Sequence, residues 1–151
     1  MPKSVDAVGL RSSTLTDDLS FLLARANAIS LTEGNGALAA HGLKARSYSV
    51  LVLAAGDARP SQRELAEFLR LDPSQVVTLV DELQSRGLVE RKPDPADRRA
   101  NVVVATDAGR DLAVRAREAA RSAEERVHAE LAPDDRETLM RLLRTLAFPE
   151  E

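Results

Sequence analysis

Apolar residues recur along most of this chain at intervals of three and four, the spacing that gives a helix one buried face. Leu15, Leu19, Leu22, Leu23, Ala26 and Ile29 form the first such stripe, and Asp17 and Asp18 suit the first turn of a helix opening near Thr16. Glu33-Gly34-Asn35-Gly36 interrupts the stripe. Two glycines in a helix interior cost about 1 kcal/mol each, so a kink or break is predicted there. Ala37 to Ala40 resume a helical composition and Gly42 caps the end.

A second helix is predicted from about Lys44 to Ala55, with Tyr48, Leu51 and Val52 inward and Gly56 as the stop. Pro60 and Ser61 open a third, in which Ser61-Gln62-Arg63-Glu64 reads as a capping box and Leu65, Ala66, Phe68 and Leu69 supply the apolar face. Asp72-Pro73-Ser74 opens a fourth, with Asp72 or Ser74 as cap. Its inner stripe is Val76, Leu79, Val80 and Leu83, and Gly87 ends it. The period then changes. Leu88 to Lys92 reads as a strand, Pro93 to Ala100 as a polar loop, and Asn101 to Ala105 as a second strand because Val102-Val103-Val104 is β-branched. Thr106 caps a long helix from Asp107 to about Leu131. Pro133 starts a last one carrying Leu139, Leu142, Leu143 and Leu146.

Two short helices joined by a tight turn and followed by a β-hairpin make a winged helix-turn-helix, here Ser61 to Ala105. The fold class is therefore mainly α, with a two-stranded β-wing and N- and C-terminal dimerisation helices. One domain spans residues 1–151, divided into a lobe at 57–105 and dimerisation helices at 14–42 and 107–148. The last helix and Phe148 carry an apolar stripe like that of the first, and one small domain cannot cover both, which predicts a two-fold homodimer.

Composition narrows the chemistry. A length of 151 residues suits one domain. No leader-like segment and no apolar run of membrane-spanning length stands in the sequence, so a cytoplasmic protein with no membrane partner is expected. With no cysteine, disulfides, thiolate catalysis and thiol redox sensing are excluded. His41 and His128 lie far apart without ligand spacing, so neither a metal nor a cofactor is expected. No paired base and nucleophile and no phosphate-cradling loop is present, which argues against an enzyme.

The net charge of −3 does not advertise a nucleic-acid binder, and the charges from Arg59 to Arg99 cancel. Binding to double-stranded DNA would then rest on placed side chains. The outer face of the fourth helix presents Ser74, Gln75, Val77 and Thr78, suited to base edges and thymine methyls. The hairpin loop presents Asp97, Arg98 and Arg99, and arginines on a wing can enter the minor groove, with Asp97 pairing to Arg99 to fix its direction. Ser61, Gln62 and Arg63 at the start of the third helix, and Arg86, complete the candidate DNA contacts. A protein-interaction module with weak DNA affinity is the alternative that near-neutral charge supports.

The run Gly42-Leu43…Tyr48…Val50-Leu51, Leu65-Ala66, Leu71-Asp72-Pro73-Ser74…Leu79-Val80-Asp81…Leu83…Arg86-Gly87-Leu88-Val89, Asp94…Asp97-Arg98-Arg99…Val104…Thr106…Gly109 resembles the MarR family. The match covers about residues 15 to 147, and the wing motif with the Thr-x-x-Gly start of the next helix is its most specific part. The resemblance implies a ligand-responsive transcriptional regulator: a homodimer joined by its first and last helices. It would bind a pseudo-palindromic operator as a repressor, released by a small aromatic or phenolic acid. Val77 and Thr78 depart from the Thr-then-basic pair common in the family, and the Gly34-Asn35-Gly36 interruption falls in a helix that lines the family's ligand pocket. Tyr48 stands where the family often has an aromatic, and Arg25, His41 and Arg46 are the nearest polar candidates to meet a carboxylate.

Overall fold

The computed structural model describes residues 8–150. Among them the order is α1 (Val8–Arg11), a 3-10 turn (Thr14–Asp17), α2 (Leu19–Ala39), α3 (Ala45–Ala55), α4 (Gln62–Leu69), α5 (Pro73–Ser85), β1 (Val89–Pro93), β2 (Asn101–Ala105), α6 (Asp107–Val127) and α7 (Pro133–Ala147). The predicted architecture is present, mainly helical with one antiparallel hairpin. The single-domain reading of 1–151 includes end residues outside the described range.

Four boundaries differ from expectation. The first long helix begins at Leu19, not near Thr16, because Thr14–Asp17 close a 3-10 turn in which the Thr16 hydroxyl donates to the Ser13 carbonyl at 2.8 Å. The interruption at Gly34-Asn35-Gly36 does not break the helix: α2 runs through it. Asn35 faces the next element, and its Oδ1 accepts the Ala45 N–H at 2.8 Å. One turn on, Leu38 is buried in the core. Tertiary packing outweighs the weak propensity of two glycines. The strand predicted at Leu88–Lys92 is shifted to Val89–Pro93, since Pro93 pairs with Asn101 at the loop end of the hairpin. The long helix stops at Val127, where the N–H groups of His128, Ala129 and Leu131 close successive turns.

The core lies where α3, α4, α5, the hairpin and the first half of α6 converge. Leu38, Val50, Leu51, Leu65, Val76, Val80, Leu83, Val89 and Val103 are its largest fully enclosed side chains. Of the inner stripe read for α5, Leu79 is only partly buried. Phe68, expected on the apolar face of α4, instead points outward, 57 % exposed. Its ring meets Phe148, beyond the end of α7, with centroids 5.8 Å apart. In this chain alone the α2 stripe of Leu19, Leu22, Leu23 and Ile29 and the α7 stripe of Leu139, Leu142, Leu143 and Leu146 are exposed.

The start of α6 is locked to the hairpin by one residue pair. The Thr106 hydroxyl accepts the Gly109 N–H at 3.1 Å and donates to the Gly87 carbonyl at 2.7 Å. The Thr106 N–H donates to the Leu88 carbonyl at 3.0 Å. A Cβ on Gly109 would stand 1.9 Å from that same Leu88 oxygen, so only glycine lets the first turn of α6 lie against the strand.

Candidate nucleic-acid interface and effector hollow

The helix-turn-helix begins with a complete cap. Ser61 Oγ accepts the Glu64 N–H at 3.2 Å, and Glu64 Oε2 accepts the Ser61 N–H at 2.7 Å. That backbone hydrogen bond holds the Glu64 carboxyl below its ordinary value. α4 ends at Arg70, which adopts a left-handed conformation (φ 54), and the Leu71 N–H returns to the Ala66 carbonyl at 3.0 Å. The chain reverses within three residues, and Asp72 then caps α5 with Pro73 in the first turn.

Ser74, Gln75, Val77 and Thr78 are all exposed on α5. Two are partly committed to the helix itself. Gln75 Oε1 accepts the Asp72 N–H at 3.3 Å, and the Thr78 hydroxyl donates to the Ser74 carbonyl at 3.1 Å. Val77 borders a shallow hollow with Arg63, Leu71 and Pro73. Arg63 is exposed and bridges to Glu67 at 2.8 Å, a pair that raises the arginine's pKa.

A residue absent from the sequence candidates organises this surface. Arg91 on β1 donates from Nε to Gln62 Oε1 at 2.8 Å, from Nη1 to Gln84 Oε1 at 2.6 Å and from Nη2 to Asp81 Oδ1 at 2.6 Å. One guanidinium thus ties the wing to the start of α4 and the second half of α5. Gln62 spends its acceptor here. Nothing in a helical or strand period distinguishes Arg91 from a solvated strand residue; three partners on two other elements make the site.

The wing tip is set by two aspartates. Asp94 Oδ1 accepts the Ala96 N–H at 2.9 Å, and Asp97 Oδ1 accepts the Arg99 N–H at 3.0 Å. Asp97 therefore directs Arg99 through its backbone, not through the guanidinium pairing expected from sequence, because the turn brings the main-chain donor closer. Among the described residues neither Arg98 nor Arg99 has an ion-pair or side-chain hydrogen-bond partner. Both are exposed. Arg86 differs: its guanidinium donates from Nη1 to the Gly42 carbonyl at 2.7 Å and from Nη2 to the His41 carbonyl at 3.1 Å.

The four effector candidates do not converge. Tyr48 lines a hollow of about 430 Å³ with Ser30, Gly34, Arg117, Arg121, Glu124 and His128. Arg46 lies on another side of α3, bordering a hollow of about 710 Å³ between α2 and α5. Arg25 is exposed on α2 and lines neither, and His41 sits in the α2–α3 turn. Arg117 and Arg121, one helical turn apart on α6, are the cations beside Tyr48. Sequence reading passed over them because that helix carries charge along its whole length. Burial raises the Tyr48 hydroxyl pKa, opposed by Arg117 and Arg121 and reinforced by Glu124.

Comparison with known proteins places this geometry. A family profile described as "MarR family" matches residues 41–100. The HTH-type transcriptional repressor Rv2887 of Mycobacterium tuberculosis is 33% identical over 126 residues, covering 82% of this chain and 91% of that protein. A MarR-family transcriptional regulator from Rhodococcus sp. RHA1 superposes with a TM-score of 0.84 at 40% identity, covering 92% of this chain and 100% of the other. CouR from Rhodococcus jostii RHA1, solved bound to p-coumaroyl-CoA, gives 0.83 at 40% identity, over 93% of this chain and 99% of that one. A CouR repressor solved on a 23-mer DNA duplex gives 0.82 at 30% identity, over 90% and 96% of the two chains.

Proposed function

The chain belongs to the MarR family of transcriptional regulators, and from that premise we propose that it is a homodimeric repressor of a pseudo-palindromic operator, released by an aromatic acid or its thioester. The observation that carries the reading is the wing: two arginines, unpartnered among the described residues, on a hydrogen-bonded turn tied through Arg91 to the helix whose outer face is short and polar. α5 supplies base contacts through Ser74, Gln75, Val77 and Thr78. Arg98 and Arg99 enter the minor groove, and Ser61, Gln62 and Arg63 meet the backbone. Residues 57–105 form the DNA-binding lobe. The helices within 14–42 and 107–148 join the two copies, their exposed leucines covering one another.

The hollow beside Tyr48 receives the effector. Its neighbours CouR and Rv2887 have been solved with p-coumaroyl-CoA and p-aminosalicylic acid respectively, and an aromatic acid suits a phenol flanked by two guanidinium groups. Release requires that the ligand favour the DNA-incompatible arrangement, since equal affinity for both states shifts nothing. The test is duplex selection from a randomised pool, followed by displacement with p-coumarate, p-coumaroyl-CoA and p-aminosalicylate. Recovery of a dyad-symmetric site, and its release by at least one of these, supports the proposal. A site without dyad symmetry overturns the dimeric reading, and failure of all three ligands to bind overturns the effector.

A further inference from the structure

Arg86 closes α5 as its C-cap, and Gly87 at φ 71 turns the chain away into β1. The side chain goes the other way and crosses to the end of α2. There the N–H groups of His41, Gly42 and Leu43 are all used within the turn, on the carbonyls of Leu38 and Ala39. The His41 and Gly42 carbonyls remain, at the negative end of the helix dipole, and the two arms of the Arg86 guanidinium take both. Gly42 makes the seat. It sits at φ 65, and a Cβ there would lie 2.9 Å from Nη2.

What this contact joins matters more than its strength. α2 carries the apolar stripe assigned above to the partner subunit, and α5 the face assigned to DNA. Between the two helices lies the hollow of about 710 Å³, lined by Leu31, Asn35 and Ala39 of α2, by residues 44–47 at the start of α3, and by Leu79 and Glu82 of α5. Along that length α2 and α5 meet through α3, which packs on both, and not mainly through side chains laid directly on one another. The Arg86 fork bridges them at one end.

We infer that Arg86 is a positioning residue, not a phosphate contact: it holds the recognition helix at a set angle to the dimer helix and so fixes the separation of the two recognition helices. The inference rests on the DNA-binding reading for its consequence, but it makes a claim about the free protein as well. Lysine keeps the charge but cannot reproduce a planar two-carbonyl fork. Arg86→Lys, Arg86→Gln and Arg86→Ala should therefore weaken binding to the selected duplex alike, by about three- to thirtyfold, with an unchanged salt slope. All three should also discriminate less well against a duplex whose half-sites are moved apart by one base pair. In the free protein, which has no native cysteine, a spin label on Ser74→Cys should show a broader label-to-label distance distribution once Arg86→Gln is added. Full rescue by lysine, or a salt slope lower by about 0.9 in the glutamine and alanine variants alone, would make Arg86 a phosphate ligand and overturn the inference. So would an unchanged distance distribution. If the wild-type protein selects no duplex, the DNA-binding reading fails, and the label distances still decide the inference.

Discussion

Arg98 and Arg99 gain their significance from having no side-chain partner among the described residues. The cations around them are engaged: Arg91 with three side chains, Arg86 with two carbonyls, Arg63 with Glu67. A free guanidinium on a fixed turn is available to phosphate or to the narrow minor groove. Replacing either by alanine should weaken operator binding and lower the salt slope by about 0.9 for each phosphate left without its arginine, measured by equilibrium titration across a salt series. Tyr48 offers a second residue-level reading, since it is the chain's single tyrosine and there is no tryptophan. Burial raises its pKa, so phenolate absorbance should rise with a midpoint above the ordinary 10.0. The sign for stability follows. The fold holds the proton more tightly than the unfolded chain, so this contribution is complete below pH 10.0 and is lost as pH rises through the higher folded value. A titration midpoint at or below 10.0 would show that the flanking arginines outweigh burial.

At the scale of elements, the glycines inside helices separate into those a helix tolerates and one the fold requires. Gly36 lies within α2 with open space where a Cβ would be, so Gly36→Ala should raise stability by about 0.5–1 kcal/mol in denaturant unfolding. Gly109 is the opposite case. Its missing Cβ lets α6 start against the Leu88 backbone, which cannot move without carrying the hairpin with it. Gly109→Ala should destabilise by about 1–3 kcal/mol or more, read in the same assay, and should loosen the wing even in variants that fold. The Thr-x-x-Gly spacing thus has two linked purposes: threonine caps the helix and glycine admits it to the strand. Asn35 shows the converse, a residue of weak helix propensity kept in a helix because its side chain secures the first turn of α3.

The whole molecule leaves two leucine stripes uncovered, on α2 and on α7, while its core is closed around the winged lobe. Apolar surface of this extent is favourable only when covered. Sedimentation at micromolar concentration should therefore show a dimer, and Leu142→Glu should weaken it toward monomer without unfolding the lobe. A monomeric wild-type protein would contradict the assignment of both helices. The Phe68–Phe148 ring contact makes the end of α7 touch α4, so the element assigned to dimerisation also reaches the DNA-binding lobe.

Periodicity and capping residues located the helices from α2 onward and the hairpin, though not the short α1, because each depends on residues a few positions apart: Ser61 with Glu64, Thr106 at the start of α6, the three valines of β2. The same local rules mark the exposed wing arginines, since a turn tip is a property of its own sequence. Local rules fail wherever a distant partner decides. Propensity predicts a break at Gly34-Asn35-Gly36, and packing against α3 and α6 removes it. The family resemblance groups Arg46 with Tyr48, and two positions apart on α3 they turn to different hollows. Arg91, Arg117 and Arg121 carry no mark in the sequence, because what distinguishes them is not their type but the groups that other elements bring to them. Arg86 is the sharpest case. Its charge and position beside the recognition helix suggest DNA, and only the tertiary approach of the α2–α3 turn, some forty residues earlier, turns its guanidinium inward to a pair of carbonyls that no local partner can satisfy.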